Sequence, residues 1–168
     1  MANLTTRVGD LILRNPVMPA SGCFAIQYRE ALDFNRLGAL VVKSVSPKSR
    51  AGNPTPRVAD CHSGMLNSIG IPSKGLDYYR EHVLPPYLKF NTPVVVSISA
   101  DTADEFGDAC EQMSLPEVAA IEANISCPNL EVGSRARLHQ CAGRCIRVRP
   151  RTSQERVALS GKSEHIDQ

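Results

Sequence analysis

No apolar run in this 168-residue sequence approaches the roughly 20 residues needed to span a bilayer as a helix, which argues against an integral membrane protein. The amino terminus, MANLTTRVGD, has no basic stretch followed by an apolar one, and so reads against a secretory signal. No G-x-G-x-x-G follows the first apolar segment, which argues against a dinucleotide-binding Rossmann domain. Internal repeats are absent. Neither sign of charge dominates: the formal net charge is +2, with 42% apolar and 21% charged residues. Those proportions are ordinary for a globular protein and argue against wholesale disorder, collagen-like and coiled-coil character. The length suits one domain with a core of ordinary size. Cysteine is present six times, at 23, 61, 110, 127, 141 and 145. Without an export signal these read as reduced thiols of a cytoplasmic protein rather than as disulfides.

Charge is unevenly spread. Residues 1–133 hold 11 Lys+Arg against 14 Asp+Glu, whereas residues 134–168 hold 8 against 3. The texture changes at the same place, from apolar runs alternating with amphipathic segments to RARLHQCAGRCIRVRPRTSQER, which has little periodicity. A domain boundary is therefore expected near Gly133.

Within 1–133, Leu4–Val8 and Leu11–Arg14 flank Gly9-Asp10 and read as a hairpin. Residues 15–20 (NPVMPA) read as a short apolar strand, and 27–37 as a helix with Gly38 at its C-terminal cap. Ala39–Val42 reads as a buried strand running into Lys43-Ser44. Residues 45–72 are rich in Pro, Gly and Ser, without a long helix. Lys74–Val83 reads as a helix stopped by Pro85-Pro86, and Pro93–Ile98 as another buried strand. Thr102 and Glu105 form a capping box ahead of Phe106, Cys110 and Met113 on one helical face, and Val118–Ile125 reads as a fourth strand. Apolar strands this continuous, alternating with helices, predict a parallel sheet covered by helices.

Polar residues fall where the four strands end: Ser21, Lys43-Ser44, Ser97 and Asn124. In a (β/α)8 TIM barrel that edge is where ligands bind, and a doubly wound sheet uses the same edge at a switch point. Four parallel strands make only half of such a barrel, which needs about 250 residues. The expected fold is thus α/β, an N-terminal half-barrel (1–133) followed by an irregular basic tail (134–168).

Chemistry points first to Asn124-Ile125-Ser126-Cys127-Pro128-Asn129. A cysteine directly after a strand can act as base or nucleophile, and flanking asparagines offer both donor and acceptor to a planar amide or imide. The same thiol can equally be a buried structural side chain. Lys43 can meet an anion or a flavin ring, or simply snorkel from a strand end. The run Gly64-Met65-Leu66-Asn67-Ser68-Ile69-Gly70-Ile71 permits tight backbone around one polar edge, or only packs.

The stretches NPVMPASG (15–22), LGALVVKSVSPKSRAGNPTPRV (37–58), GMLNSIGIPSKGLDYY (64–79), TPVVVSIS (92–99) and EANISCPN (122–129) together resemble dihydroorotate dehydrogenase, in its soluble class 1 that uses a cysteine base. NISCPN alone is also similar to the pyrimidine-reducing domain of dihydropyrimidine dehydrogenases. The resemblance implies an FMN-dependent TIM barrel that oxidises dihydroorotate to orotate in pyrimidine (UMP) biosynthesis. It implies Cys127 as the base at C5 of dihydroorotate, with hydride passing from C6 to the flavin. Lys43 would touch both flavin and substrate. Asn67, Ser68, Ile69, Gly70 and Ile71, with Asn124 and Asn129, would hold the substrate. Ser21, Ser44, Ser97 and Asn124 would meet FMN. A cation such as Lys43 near the thiol would favour its thiolate. No metal site is implied. The family's partners include a second copy in a homodimer and, in its NAD-linked branch, an iron–sulfur flavoprotein electron-transfer subunit.

Beyond Asn129 the resemblance fades. RVALSGKSEHID (156–167) is faintly similar to the family's next strand, with Ala158 in place of a flavin-binding lysine. The tail is expected to be non-native or disordered sequence from a shifted reading frame or truncated gene. Two further readings are a basic nucleic-acid-binding appendage, which lacks interleaved aromatics, and a metal site from His139, Cys141 and Cys145, which is one ligand short of a structural zinc. No nucleic-acid partner is expected. Hence a non-catalytic remnant or binding module stands beside the enzyme as an alternative.

Overall fold

A computed structural model describes residues 2–125. Its centre is a three-stranded parallel sheet in the order β3 (Leu40–Val45), β8 (Val94–Ile98), β9 (Val118–Ala123). Around it are the hairpin β1 (Thr6–Val8) and β2 (Leu11–Leu13), the hairpin β5 (Val58–Cys61) and β6 (Gly64–Asn67), and a short ladder of β4 (Ser49–Arg50) with β7 (Ser73–Lys74).

Side-chain alternation sets the buried face of each strand, except where the β3 register shifts between Val42 and Val45. Leu40, Val42 and Val45 of β3 and Val94, Val96 and Ile98 of β8 join one apolar cluster. Helix α3 (Ala103–Met113) presses Phe106, Ala109, Cys110 and Met113 into it. Half of the expected capping box forms: Thr102 Oγ1 accepts from Glu105 N at 3.2 Å, while the Glu105 carboxylate accepts from Asp101 N, one residue ahead of the cap, at 3.1 Å. The Thr102 bond satisfies an amide that the first helical turn leaves without a partner.

Three expectations change. Residues 15–20 form no strand ladder. Pro16 and Pro19 lack amide donors, and the segment is instead bonded to the turn ahead of β3, Val17 O accepting from Gly38 N at 2.8 Å and Asn15 Nδ2 donating to Arg36 O at 3.0 Å. The parallel sheet therefore has three strands among the described residues rather than four. Residues 27–37 form two 3-10 turns, Ile26–Glu30 and Phe34–Arg36, instead of one helix. Gly38 serves a close approach, since a Cβ there would collide with the Asn15 carbonyl. Finally, Pro85 and Pro86 do not stop the helix. It runs from α1 (Leu76–Tyr78) through a π turn (Tyr79–Val83) into α2 (Leu84–Tyr87), with the prolines in the first positions of α2. The π turn directly ahead of them already departs from the regular i→i−4 ladder to which two prolines cannot donate.

No helix among the described residues is long and apolar enough to cross a membrane. Cys127, Asn129, the boundary near Gly133 and the tail with its candidate metal ligands lie outside the described residues.

Candidate active site

The register of β3 against β8 creates the site. Val42 pairs with Val96 and Val45 with Ile98, so Lys43 and Ser44 together oppose the single residue Ser97. This is a bulge, and a bulge re-aims side chains that strict alternation would send to opposite faces. Ser44 Oγ lies 2.8 Å from Ser97 Oγ, both side chains being buried. Asn124 Nδ2, just past β9, donates to Ser44 Oγ at 3.1 Å, and Ser21 Oγ makes a longer 3.5 Å contact with the same atom. Four residues spread over a hundred positions thus meet around one hydroxyl at the C-terminal edge of the sheet. The cluster is uncharged. Its hydroxyls and carboxamide can both give and accept hydrogen bonds, and Asn124 Oδ1 has no donor among the described residues. Such a donor set fits the alternating N–H and C=O edge of a flavin ring. Lys43, beside it, is exposed.

Asn67 ends β6, and Ser68 and Ile69 follow it, all exposed, whereas Gly70 and Ile71 are buried. The structure ties this loop to residues 51–57. Asn53 N donates to Ile69 O at 3.1 Å, Asn53 Nδ2 to Ser68 Oγ at 2.8 Å, and Ser68 N to Arg57 O at 2.7 Å. Arg57 in turn donates to Asn53 O at 2.6 Å and Ala51 O at 2.9 Å. The two chains cross so closely that a Cβ on Gly70 would stand 2.6 Å from Asn53 N. Gly70 and Ile71 have φ of 78° and 46°, so the left-handed turn is held by this lacing.

Sequence reasoning missed the clamp on the other flank. Arg50 Nη2 donates to both carboxylate oxygens of Asp101 at 2.7 Å, joining β4 to the segment between β8 and α3. The two lie 51 positions apart, and no local spacing signals the pair. It also missed a cavity of about 550 Å³ beside the end of β3, where Lys43, Ser73, Lys74 and Tyr78 come together.

A family model described as dihydroorotate dehydrogenase matches residues 3–142. The catalytic subunit of dihydroorotate dehydrogenase B (NAD(+)) from Listeria welshimeri is 44% identical over 139 residues, 81% of this chain and 46% of that protein. The subunit of the same name from Desulforamulus reducens is 44% identical over 137 residues, 80% of this chain and 45% of its own length. Among solved structures, the Eimeria tenella dihydroorotate dehydrogenase in complex with ferulenol superposes with a TM-score of 0.58 at 21% identity, covering 80% of this chain and 39% of that one. That likeness carries the fold. The chain spans under half the length of the curated relatives it matches.

Proposed function

The chain belongs to the dihydroorotate dehydrogenase family, and on that premise we propose that its residues serve the FMN-dependent oxidation of dihydroorotate to orotate. The observation that carries this reading is the meeting of Ser21, Ser44, Ser97 and Asn124 around one hydroxyl at the sheet's C-terminal edge.

In this proposal Ser21, Ser44, Ser97 and Asn124 hold the flavin, with Lys43 between flavin and substrate. FMN, when bound, supplies the two-electron acceptor chemistry that no side chain offers. Asn67, Ser68, Ile69, Gly70 and Ile71 grip the pyrimidine ring, together with Asn124 and Asn129. The lacing by Asn53 and Arg57 keeps that loop in one shape before substrate arrives, so less ordering is needed on binding. Cys127, four residues past the end of β9, removes the C5 proton as a thiolate. An ordinary thiol is mostly protonated at neutral pH, and the Lys43 ammonium is the cation assigned to favour its ionised form. The relatives named as catalytic subunits suggest an electron-transfer subunit as partner; a second copy of the chain is the other proposed partner. A (β/α)8 barrel is the architecture into which the described strands fit.

The test is anaerobic addition of dihydroorotate to the purified chain supplied with FMN. Bleaching of the flavin absorbance supports the reading. Cys127→Ala should slow it by about 10²–10⁴-fold, the usual worth of a general base. A folded chain whose added flavin does not bleach overturns the reading and leaves the alternative, a non-catalytic binding module.

A further inference from the structure

The cavity at the end of β3 has a lining of one electrical character. Lys43, Arg50 and Lys74 line it, and no acidic side chain does. Asp101 neutralises Arg50 from outside the lining. Lys43 has no partner among the described residues. Lys74 is held by Tyr78, with its ammonium 3.2 Å from the phenol oxygen and 4.3 Å from the ring centroid.

The neutral polar groups point the same way. Ser73 Oγ accepts from Ser46 N at 3.1 Å and from Gly75 N at 3.2 Å, which leaves its own O–H proton without an acceptor among the described residues. The Tyr78 oxygen accepts from Lys74, so its proton too is unused. An apolar part of the wall is formed by Val45, Pro72 and Val83, beside Ser44, Ser49 and Tyr79. A pocket of this volume is in the range that encloses a small organic ligand. Two ammonium groups and two spare hydroxyl protons, with no acidic acceptor, select an anion. The apolar wall selects a flat or aliphatic body attached to it.

We propose that this cavity binds a small organic anion, a carboxylate on an apolar ring, with Lys74 as its principal cation. Asn67, Ser68, Ile69, Gly70 and Ile71 do not line it, nor do Ser21, Ser97 and Asn124. The cavity thus takes none of those residues, but adjoins the proposed flavin and substrate sites through Lys43 and Ser44. It does not depend on that reading, since nothing in its lining requires bound flavin.

The experiment titrates the full chain with 2-naphthoate and with the uncharged 2-naphthamide, followed by saturation-transfer NMR. The acid should bind at least about tenfold more tightly than the amide, one charge-assisted contact's worth. Rising ionic strength should weaken the acid alone. Lys74→Glu should weaken the acid by about tenfold or more, whereas Lys89→Glu, the same charge change at an exposed residue outside the lining, should leave it unchanged. Circular dichroism checks that the variants keep the wild-type fold. Should Lys74→Glu unfold, Lys74→Met is the substitute, and the acid-against-amide comparison on the wild-type chain stands alone. Equal affinity for acid and amide overturns the proposal, as does a folded position-74 variant that binds the acid like wild type.

Discussion

Replacing Gly70 by alanine should break the lacing of the 67–71 loop, and Gly22 supplies the control. The two glycines have nearly the same φ, 78° and 80°, so the backbone penalty for a Cβ is shared. That penalty is about 1–2 kcal/mol, reduced by about 0.4–1 kcal/mol because alanine also restricts the unfolded chain. Their surroundings differ. Among the described residues a Cβ on Gly22 meets nothing within 4 Å, whereas one on Gly70 stands 2.6 Å from both Asn53 N and Asn53 Oδ1. Neither atom can yield freely, because Asn53 N is bonded to Ile69 O and its carboxamide to Ser68 Oγ. Overpacking of this kind costs about 1–3 kcal/mol beyond the backbone penalty. The loop is exposed over Asn67, Ser68 and Ile69, so the loss should appear first as local opening. Native-state hydrogen exchange of the Asn53 and Ser68 amides reads it directly. Protection should fall by about 10–10²-fold more in Gly70→Ala than in Gly22→Ala, as 1.4 kcal/mol is tenfold. Equal protection in the two variants would refute the crossing as the element that shapes the loop.

Ser97→Ala removes the 2.8 Å partner of the buried Ser44 hydroxyl, and should lower the urea-unfolding free energy by about 1–2 kcal/mol. Burial raises the Tyr79 phenol above its ordinary value of 10.0, with Tyr87 alongside adding to the effect. A raised folded-state value gives stability that is complete below pH 10 and is lost as pH climbs above it. Urea midpoints measured upward from pH 9 should therefore drop in wild type, and Tyr79→Phe should flatten the drop. The same variant should cost little at neutral pH, because the Tyr79 hydroxyl has no hydrogen-bond partner among the described residues. Phe106→Ala empties a fully buried site between α3 and the sheet and should cost about 3–5 kcal/mol.

What the sequence made legible is what local pattern controls. Continuous apolar runs marked β3, β8 and β9, and the Thr102–Glu105 spacing marked the start of α3. The strand-end rule placed Ser21, Ser44, Ser97 and Asn124 on one edge, where they do meet. The misreadings share a cause. NPVMPA has a strand's hydrophobicity, but two prolines deprive it of ladder donors, and residues 27–37 have a helical face that the packing around Phe34 breaks into two turns. Periodicity reports which face is apolar, not whether the backbone hydrogen bonds can close. Long-range features were illegible for a different reason. The bulge at Lys43-Ser44, the Arg50–Asp101 pair and the crossing at Gly70 each depend on register or contact between distant segments.

The central claim is that the cluster around Ser44 is a flavin edge. Titrating FMN with the purified chain and following quenching of its fluorescence tests this most directly, with Asn124→Leu as comparison. The account predicts saturable quenching at one FMN per chain, weakened in Asn124→Leu. A folded chain that leaves FMN fluorescence unchanged, or a variant that quenches as well as wild type, would contradict it.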